Sequence, residues 1–252
     1  MKIDLIIQGP FTNYSKEIVE HYQKLPWVRQ IIISCWRDNL DYEIPGAKMV
    51  KSLPLSNNGI GNRNAHIITS YRGLLEVKTN FCAKLRSDQK ISLDSMNLMY
   101  DYMLKHQDKV CVMGFYEPFP FHPRDHSFWG KTSKVISVFD IPLDPNMWNG
   151  SAPYDSWPYA GFYANHVRAE CYIASQYLAK KCPKVKKMTE FPQQYLCDFS
   201  DRWEEAKTLS EELMDKYFIP FPKIDFEWPK HGMTNYHYEW ARANYGEFWG
   251  DL

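Results

Sequence analysis

The chain has 252 residues, enough for one large domain or two small ones, and 44% of them are hydrophobic, enough to build a substantial core. Its 30 Lys and Arg balance 30 Asp and Glu, and the zero net charge excludes the basic footprint expected of a nucleic-acid-binding protein. No run approaches the ~20 apolar residues of a membrane span, and the N-terminal MKIDLIIQGP is too short in its apolar run for a signal peptide, so a soluble, cytoplasmic protein is expected.

Ile3-Asp4-Leu5-Ile6-Ile7 is an apolar run with one break, the pattern of a strand buried on both faces, and Gln8-Gly9-Pro10 ends it. Ser15 precedes a helix whose Ile18, Val19, Tyr22 and Leu25 recur at three- and four-residue spacing until Pro26 stops it. Arg29–Trp36 reads as the second strand and Ala47–Leu53 as a third, interrupted by Lys48 and Lys51 and followed by Pro54. Ser56–Gly61 is a polar, glycine-bearing loop. Beyond it, Ile60, Ile67, Ile68, Tyr71, Leu74 and Leu75 trace one face of a long helix that feeds a strand at Phe81. Leu93, Met96, Met103 and Leu104 mark the next helix, and Lys109–Phe115 the fifth strand. Five strands with three intervening helices predict an α/β fold whose central sheet is mostly parallel, flanked by helices joined through right-handed crossovers.

The second half is helical and loop-rich. Glu117–Phe128 carries three prolines and reads as an ordered loop or edge segment, and Ser133–Phe139 as a short helix. Pro142, Pro145, Pro153 and Pro158 leave no room for a long helix in Asp140–Tyr159, which suits a functional loop or lid. Two amphipathic helices are expected at Val167–Lys180 and Asp201–Lys216, and the aromatic, proline-rich tail Phe218–Leu252 is expected to wrap the domain. No linker divides residues 1–116 from 117–252, so one domain is expected. Cys35, Cys82 and Cys111 fall in predicted buried strands, and Cys171, Cys182 and Cys197 lack Cys-x-x-Cys spacing, which argues against disulfides and structural zinc.

One stretch points to chemistry. In Asn80–Lys90, NFCAKLRSDQK, the buried strand Phe81–Leu85 ends abruptly in Arg86 and Asp88, and Ile91-Ser92-Leu93 opens a helix. Ser87 and Asp88 therefore fall on a strand-to-helix turn at the carboxyl edge of the sheet, where α/β folds bind ligands. An aspartate there can hold a divalent cation or a sugar hydroxyl, and the arginine a phosphate; a solvated turn with a salt bridge is the plainer reading.

Several separated stretches together resemble the WavE lipopolysaccharide synthesis family. They are IIQGPF at the first strand, ISCW at the second, NRNAHIITSYRGL at Asn62–Leu74, the KLRSD turn, DHSFWG at Asp125–Gly130 and AECYIASQYL at Ala169–Leu178. The resemblance implies a GT-A-like, Rossmann-like glycosyltransferase that moves a sugar from a nucleotide-sugar donor to a glycan or glycolipid acceptor of the lipopolysaccharide or capsule type, with peripheral attachment to the inner face of the cytoplasmic membrane left open. In such folds the first-strand loop holds the nucleotide and the middle strand ends in an acidic metal motif. Gln8, Gly9 and Pro10 would then line the nucleotide pocket, although an ordinary tight turn explains them equally. Asn62, Arg63 and His66 stand near a helix start that favours anions, with a capped, solvated first turn as the alternative, and Arg63 is the one expected to touch phosphate. Ser34 and Trp36 end the second strand at the same edge, Trp36 stacking on the base or belonging to the core. Lys84 in the KLRSD turn joins this donor-binding set.

The acidic motif would be Arg86-Ser87-Asp88, where this sequence keeps only the second of two carboxylates. Asp88 is the expected ligand of Mn²⁺ or Mg²⁺, and the departure at Arg86 predicts weaker metal dependence with the guanidinium holding the diphosphate. For an inverting reaction a base must take the acceptor's proton, and Asp125 is the first candidate, with Glu170 second; capping or salt-bridging is the alternative for each. His122 and His126 are spaced like metal ligands, but Pro123 argues against the helix that would bring them together. Two other classes stay open: a non-catalytic carbohydrate- or nucleotide-sugar-binding protein, and a sugar nucleotidyltransferase, weakened by the lack of a Gly-x-x-x-x-Gly-Lys signature.

Overall fold

A computed structural model describes residues 1–10, 14–36, 43–59, 62–115, 120–145, 169–189, 201–222, 224, 226–228 and 233–236. In chain order the elements are β1 (Ile3–Gln8), α1 (Ser15–Tyr22), β2 (Val28–Trp36), β3 (Ala47–Ser52), α2 (Arg63–Leu75), β4 (Phe81–Arg86), β5 (Lys90–Ile91), α3 (Leu93–Lys105) and β6 (Val110–Val112). Then come β7 (Ser127–Lys131), α4 (Thr132–Phe139), α5 (Ala169–Ala179), α6 (Pro183–Thr189), α7 (Asp201–Tyr217), β8 (Phe218–Pro220), β9 (Phe226–Trp228) and β10 (Met233–Tyr236).

Seven strands form one sheet in the order β3-β2-β1-β4-β7-β6-β8. β1 pairs in parallel with β2 and β4, β2 with β3, and β6 with β8, while β7 runs antiparallel to both β4 and β6. The sheet is mostly parallel and flanked by helices, as the alternation of strands and helices predicts. All six residues of β1 are buried, which explains its unbroken apolar run: a central strand covered on both faces has no solvent side to mark.

Successive side chains of each strand enter two separate cores. Ile3, Leu5 and Ile7 join Ile31, Ile33, Ala83 and Leu85 beneath α1 (Ile18, Val19, Tyr22) and α3 (Met96, Met99, Met103). Ile6, Ile32 and Cys82 join Val110, Val112 and Phe128 beneath α2 (Ile67, Leu74), α4 (Val135, Val138, Phe139), α5 and α7. Gly73 lets α2 lie on this second face, because a Cβ there would stand 2.7 Å from Ile6 Cγ2 and 2.8 Å from Ser34 Cβ. Lys84 and Arg86 share the parity of Cys82, so both side chains project toward α2, α4 and α5.

Four expectations change. Glu117–Phe128 is not merely an edge loop: it leads into β7, which inserts between β4 and β6. The fifth strand is shorter than Lys109–Phe115, at Val110–Val112. α5 is buried on nearly every side through Cys171, Tyr172, Ile173, Ala174, Ser175, Tyr177 and Leu178 rather than amphipathic, because α2, α4 and α6 all pack on it. The tail contributes strands, β8 to the main sheet and β9 and β10 to a small antiparallel sheet with β5. Cys197, most of the proposed lid and the tail beyond 236 lie outside the described residues. Among the described residues no helix is long and apolar enough to cross a membrane.

Candidate active site

The carboxyl edge of β1 and β4 is the one place where most of the candidate residues meet. Gln8 is in register with Ser34 on one side and Arg86 on the other. Beyond them the β1 loop is bonded to the β4 turn: Ser87 N–H donates to the Gln8 carbonyl at 2.9 Å and Ser87 Oγ to the Pro10 carbonyl at 2.9 Å. This junction requires Gly9, at φ 139°, since a Cβ would meet Ser87 Oγ at 2.3 Å. β5 and the Ser92 cap of α3, which accepts from Ser95 N–H at 3.2 Å, then carry the chain away from the turn.

Arg86 is the centre of the edge. Its Nε and Nη2 donate to the two oxygens of Asp88 at 2.9 and 2.8 Å, and its Nη1 to both oxygens of Asp125 at 3.1 and 3.0 Å. Asp125 reaches this position because it precedes β7, whose Ser127 is in register with Leu85. Burial alone would raise the Asp125 carboxyl, but Arg86, with Lys84 behind it, holds it well below the usual carboxylate range. Burial likewise works against the Arg86 charge, and Asp125 and Asp88 together secure it.

Beneath Arg86 lies Lys84, fully buried, its Nζ 2.9 Å from His66 Nε2 and 3.1 Å from the Asp125 carbonyl, with the rings of Phe128 and Phe139 at 5.6 and 5.7 Å. Burial pulls the Lys84 ammonium down to about 8, against the opposing pull of Asp125. His66 is kept neutral by burial and by Lys84. With Nε2 accepting from the ammonium, its proton lies on Nδ1, 3.8 Å from Asp125 Oδ2. His126, touching Gln89, is lowered to about 4 by burial. Glu170, in the first turn of α5, is half-buried and close enough to support the charges of Arg86 and Lys84.

The other candidates divide. Pro10 and Trp36 are half-buried and Asn62, in the left-handed region at φ 61°, is exposed; these line the rim. Gln8 turns inward, donating to Thr69 Oγ1 at 3.0 Å, and Ser34 is wholly buried with its hydroxyl on the Thr69 carbonyl at 2.6 Å, so Ser34 faces α2 and not a ligand. Arg63, expected on phosphate, is 1% exposed and its Nε is 3.2 Å from Asp144 Oδ2, itself inaccessible. Asn64 grips the same segment both ways, donating to the Asp144 carbonyl at 2.9 Å and accepting from its N–H at 2.7 Å. An arginine beneath the first turn, its guanidinium 5.1 Å from the Tyr172 ring, anchors the 142–145 segment.

The residues as arranged do not fit a divalent ion on Asp88. Both of its oxygens accept from Arg86, a cation that would repel another, and among the described residues no group of three His, Cys, Asp or Glu side chains could hold a metal. Sequence reading missed the Arg86–Asp125 pair, Asp144 and Thr69. Only the first left a signal, in the proline-rich approach to an aromatic strand at Ser127–Lys131.

No family model matches the chain, and no curated protein matches it. Among solved structures it is similar to HddC from Yersinia pseudotuberculosis (12% identity, TM-score 0.37, 62% of this chain and 85% of that one) and S. aureus TarS (13%, 0.40, 71% and 34%). It is also similar to the glycosyltransferase GlyE in Streptococcus pneumoniae TIGR4 (11%, 0.35, 53% and 35%). Likenesses at these scores carry no functional assignment.

Proposed function

We propose that this protein transfers a sugar from a nucleotide-sugar donor to a glycan or glycolipid acceptor, with Arg86 as the built-in cation that holds the donor diphosphate. The observation that carries the reading is the guanidinium held between Asp88 and Asp125 at the end of the central strand, beside the β1 loop. A planar fork with five donors suits phosphate oxygens as well as carboxylates. Asp88 keeps one edge of the fork fixed while Nη1, now on Asp125, is the part that turns to the diphosphate.

That exchange supplies the base. Relieved of its cation, the buried Asp125 carboxylate regains basicity and takes the proton of the acceptor hydroxyl as its oxygen attacks the anomeric carbon. The bond from that carbon to the diphosphate oxygen breaks, and the electron pair leaves on the nucleoside diphosphate, whose charge Arg86 stabilises. Glu170 is the alternative base on the α5 side. Pro10, Trp36 and Asn62 form the rim nearest the nucleoside. The resemblance to the WavE family supports an acceptor of the surface-glycan type.

Release of nucleoside diphosphate is the test, measured with UDP-, GDP- and dTDP-sugars in the presence of a glycolipid extract. One donor class is expected to turn over, and Asp88→Asn to slow it by loosening Arg86. A folded protein that releases nucleotide from none of them contradicts the reading.

A further inference from the structure

The zero net charge conceals an uneven distribution. Between residues 171 and 189 the sequence contains Lys180, Lys181, Lys184, Lys186 and Lys187 and no acidic residue, Glu170 and Glu190 being the nearest on either side. All five lysines are exposed, spread over the end of α5, the turn and α6, while Val185 is fully buried and pins α6 to the core. Of the neighbouring elements, α4 carries only Lys134 and α2 carries Arg63, Arg72 and His66, while α7, which meets α5 where the Tyr177 and Tyr217 rings stand 6.1 Å apart, carries the acids Asp201, Glu204, Glu205, Glu211, Glu212 and Asp215. Asp140 lies beside Lys180, and its carbonyl, with that of Ser137, accepts from Lys180 at 2.8 and 2.7 Å.

We propose that this lysine face of α5 and α6 docks the protein on an anionic membrane surface. The composition favours a charged plane over a shaped polyanion. Lysines act as compact, non-directional point charges, whereas a site built for individual phosphates uses the arginine fork. Among the described residues no exposed aromatic side chain interleaves with them, Tyr177 beneath Lys180 and Lys181 being buried, so these helices offer a nucleic-acid strand no stacking platform. Of the apolar residues of α6 only Pro183 is exposed, so attachment is electrostatic and reversible. The position fits a glycolipid acceptor, a point that rests on the transferase reading: the first turn of α5 holds Glu170 beside the Arg86 edge and its other end runs into the lysines, about 16 Å away for eleven residues. A headgroup at the bilayer surface lies within that reach.

The test is co-sedimentation with phosphatidylcholine vesicles, with and without phosphatidylglycerol, independent of any transfer assay. Wild-type protein is expected to bind only the anionic vesicles and to be released at ~1 M salt, where the Debye length is about 3 Å. Combining Lys181→Gln, Lys184→Gln and Lys187→Gln, which leaves the carbonyl-bonded Lys180 in place, should weaken binding roughly a hundredfold at roughly fivefold per lysine. Its melting curve should match wild type. Failure to bind anionic vesicles, equal binding by the triple variant, or binding to heparin and duplex DNA in place of vesicles overturns the proposal. Vesicle binding by a protein that transfers no sugar leaves the docking standing and sinks the transferase reading.

Discussion

Arg86 and Asp125, one closing β4 and the other two residues ahead of β7, meet at 3.0 Å and neutralise each other at the mouth of the sheet. The pair exists only because β7 enters the sheet antiparallel between β4 and β6. It makes Asp125 a poor base until Arg86 has somewhere else to go.

Asp125→Asn is therefore expected to lower turnover by about 10²- to 10⁴-fold, the usual contribution of a positioned base. Donor affinity should hold or improve, since Arg86 loses a competitor for its Nη1. Steady-state kinetics separate the two: a raised donor KM with unchanged kcat would make Asp125 a positioning group only.

The Lys84 ammonium gives a stability signature above neutrality. Its folded value of about 8 lies below the unfolded 10.5, so between these the unfolded chain binds more protons and folding gains stability as pH rises. Urea midpoints at the two ends of that window should show this gain in wild type and not in Lys84→Met. The difference between the proteins is the observable, because burial also raises Cys82 and Cys111 to about 12, which works in the opposite sense. Parallel pH dependence in both proteins would mean that the Lys84 ammonium keeps its ordinary value in the fold and stays protonated through this window.

Arg63 and Asp144 form a buried pair at the start of α2, so breaking it should cost stability and spare the donor. Arg63→Met and Asp144→Leu should each destabilise by about 3–5 kcal/mol, the double variant by much less than the sum, because the pair and not either residue alone is what the core accepts. Donor affinity should not change. A loss of donor binding in Arg63→Met without a loss of stability would return Arg63 to the phosphate.

The central architecture was readable because buried parallel strands write themselves as unbroken apolar runs, as Ile3–Ile7 and Arg29–Trp36 do. The Arg86-Ser87-Asp88 turn was readable because two charges mark the point where such a run ends. β7 was not, since its Phe128, Trp129 and Gly130 follow prolines that mimic a loop, and its strand character comes from pairing on both sides. Arg63 misled because a charge near a helix start looks like an anion site, whereas its partner Asp144 is 81 residues away and invisible to local pattern. Asp88 reads from sequence as an exposed turn carboxylate of little consequence to packing; at 6% exposure, locked to Arg86, it is part of the fold as well as of the site.

The guanidinium standing where a metal ion is expected is the claim that matters most, and donor binding measured by calorimetry in EDTA and then in Mn²⁺ tests it directly. Wild type should bind the donor or its nucleoside diphosphate equally in both, and Arg86→Lys, which keeps the charge but loses the fork, should bind at least tenfold more weakly. Binding that appears only with Mn²⁺ and survives in Arg86→Lys would contradict it, placing an essential ion on Asp88 and Arg86 outside the diphosphate site.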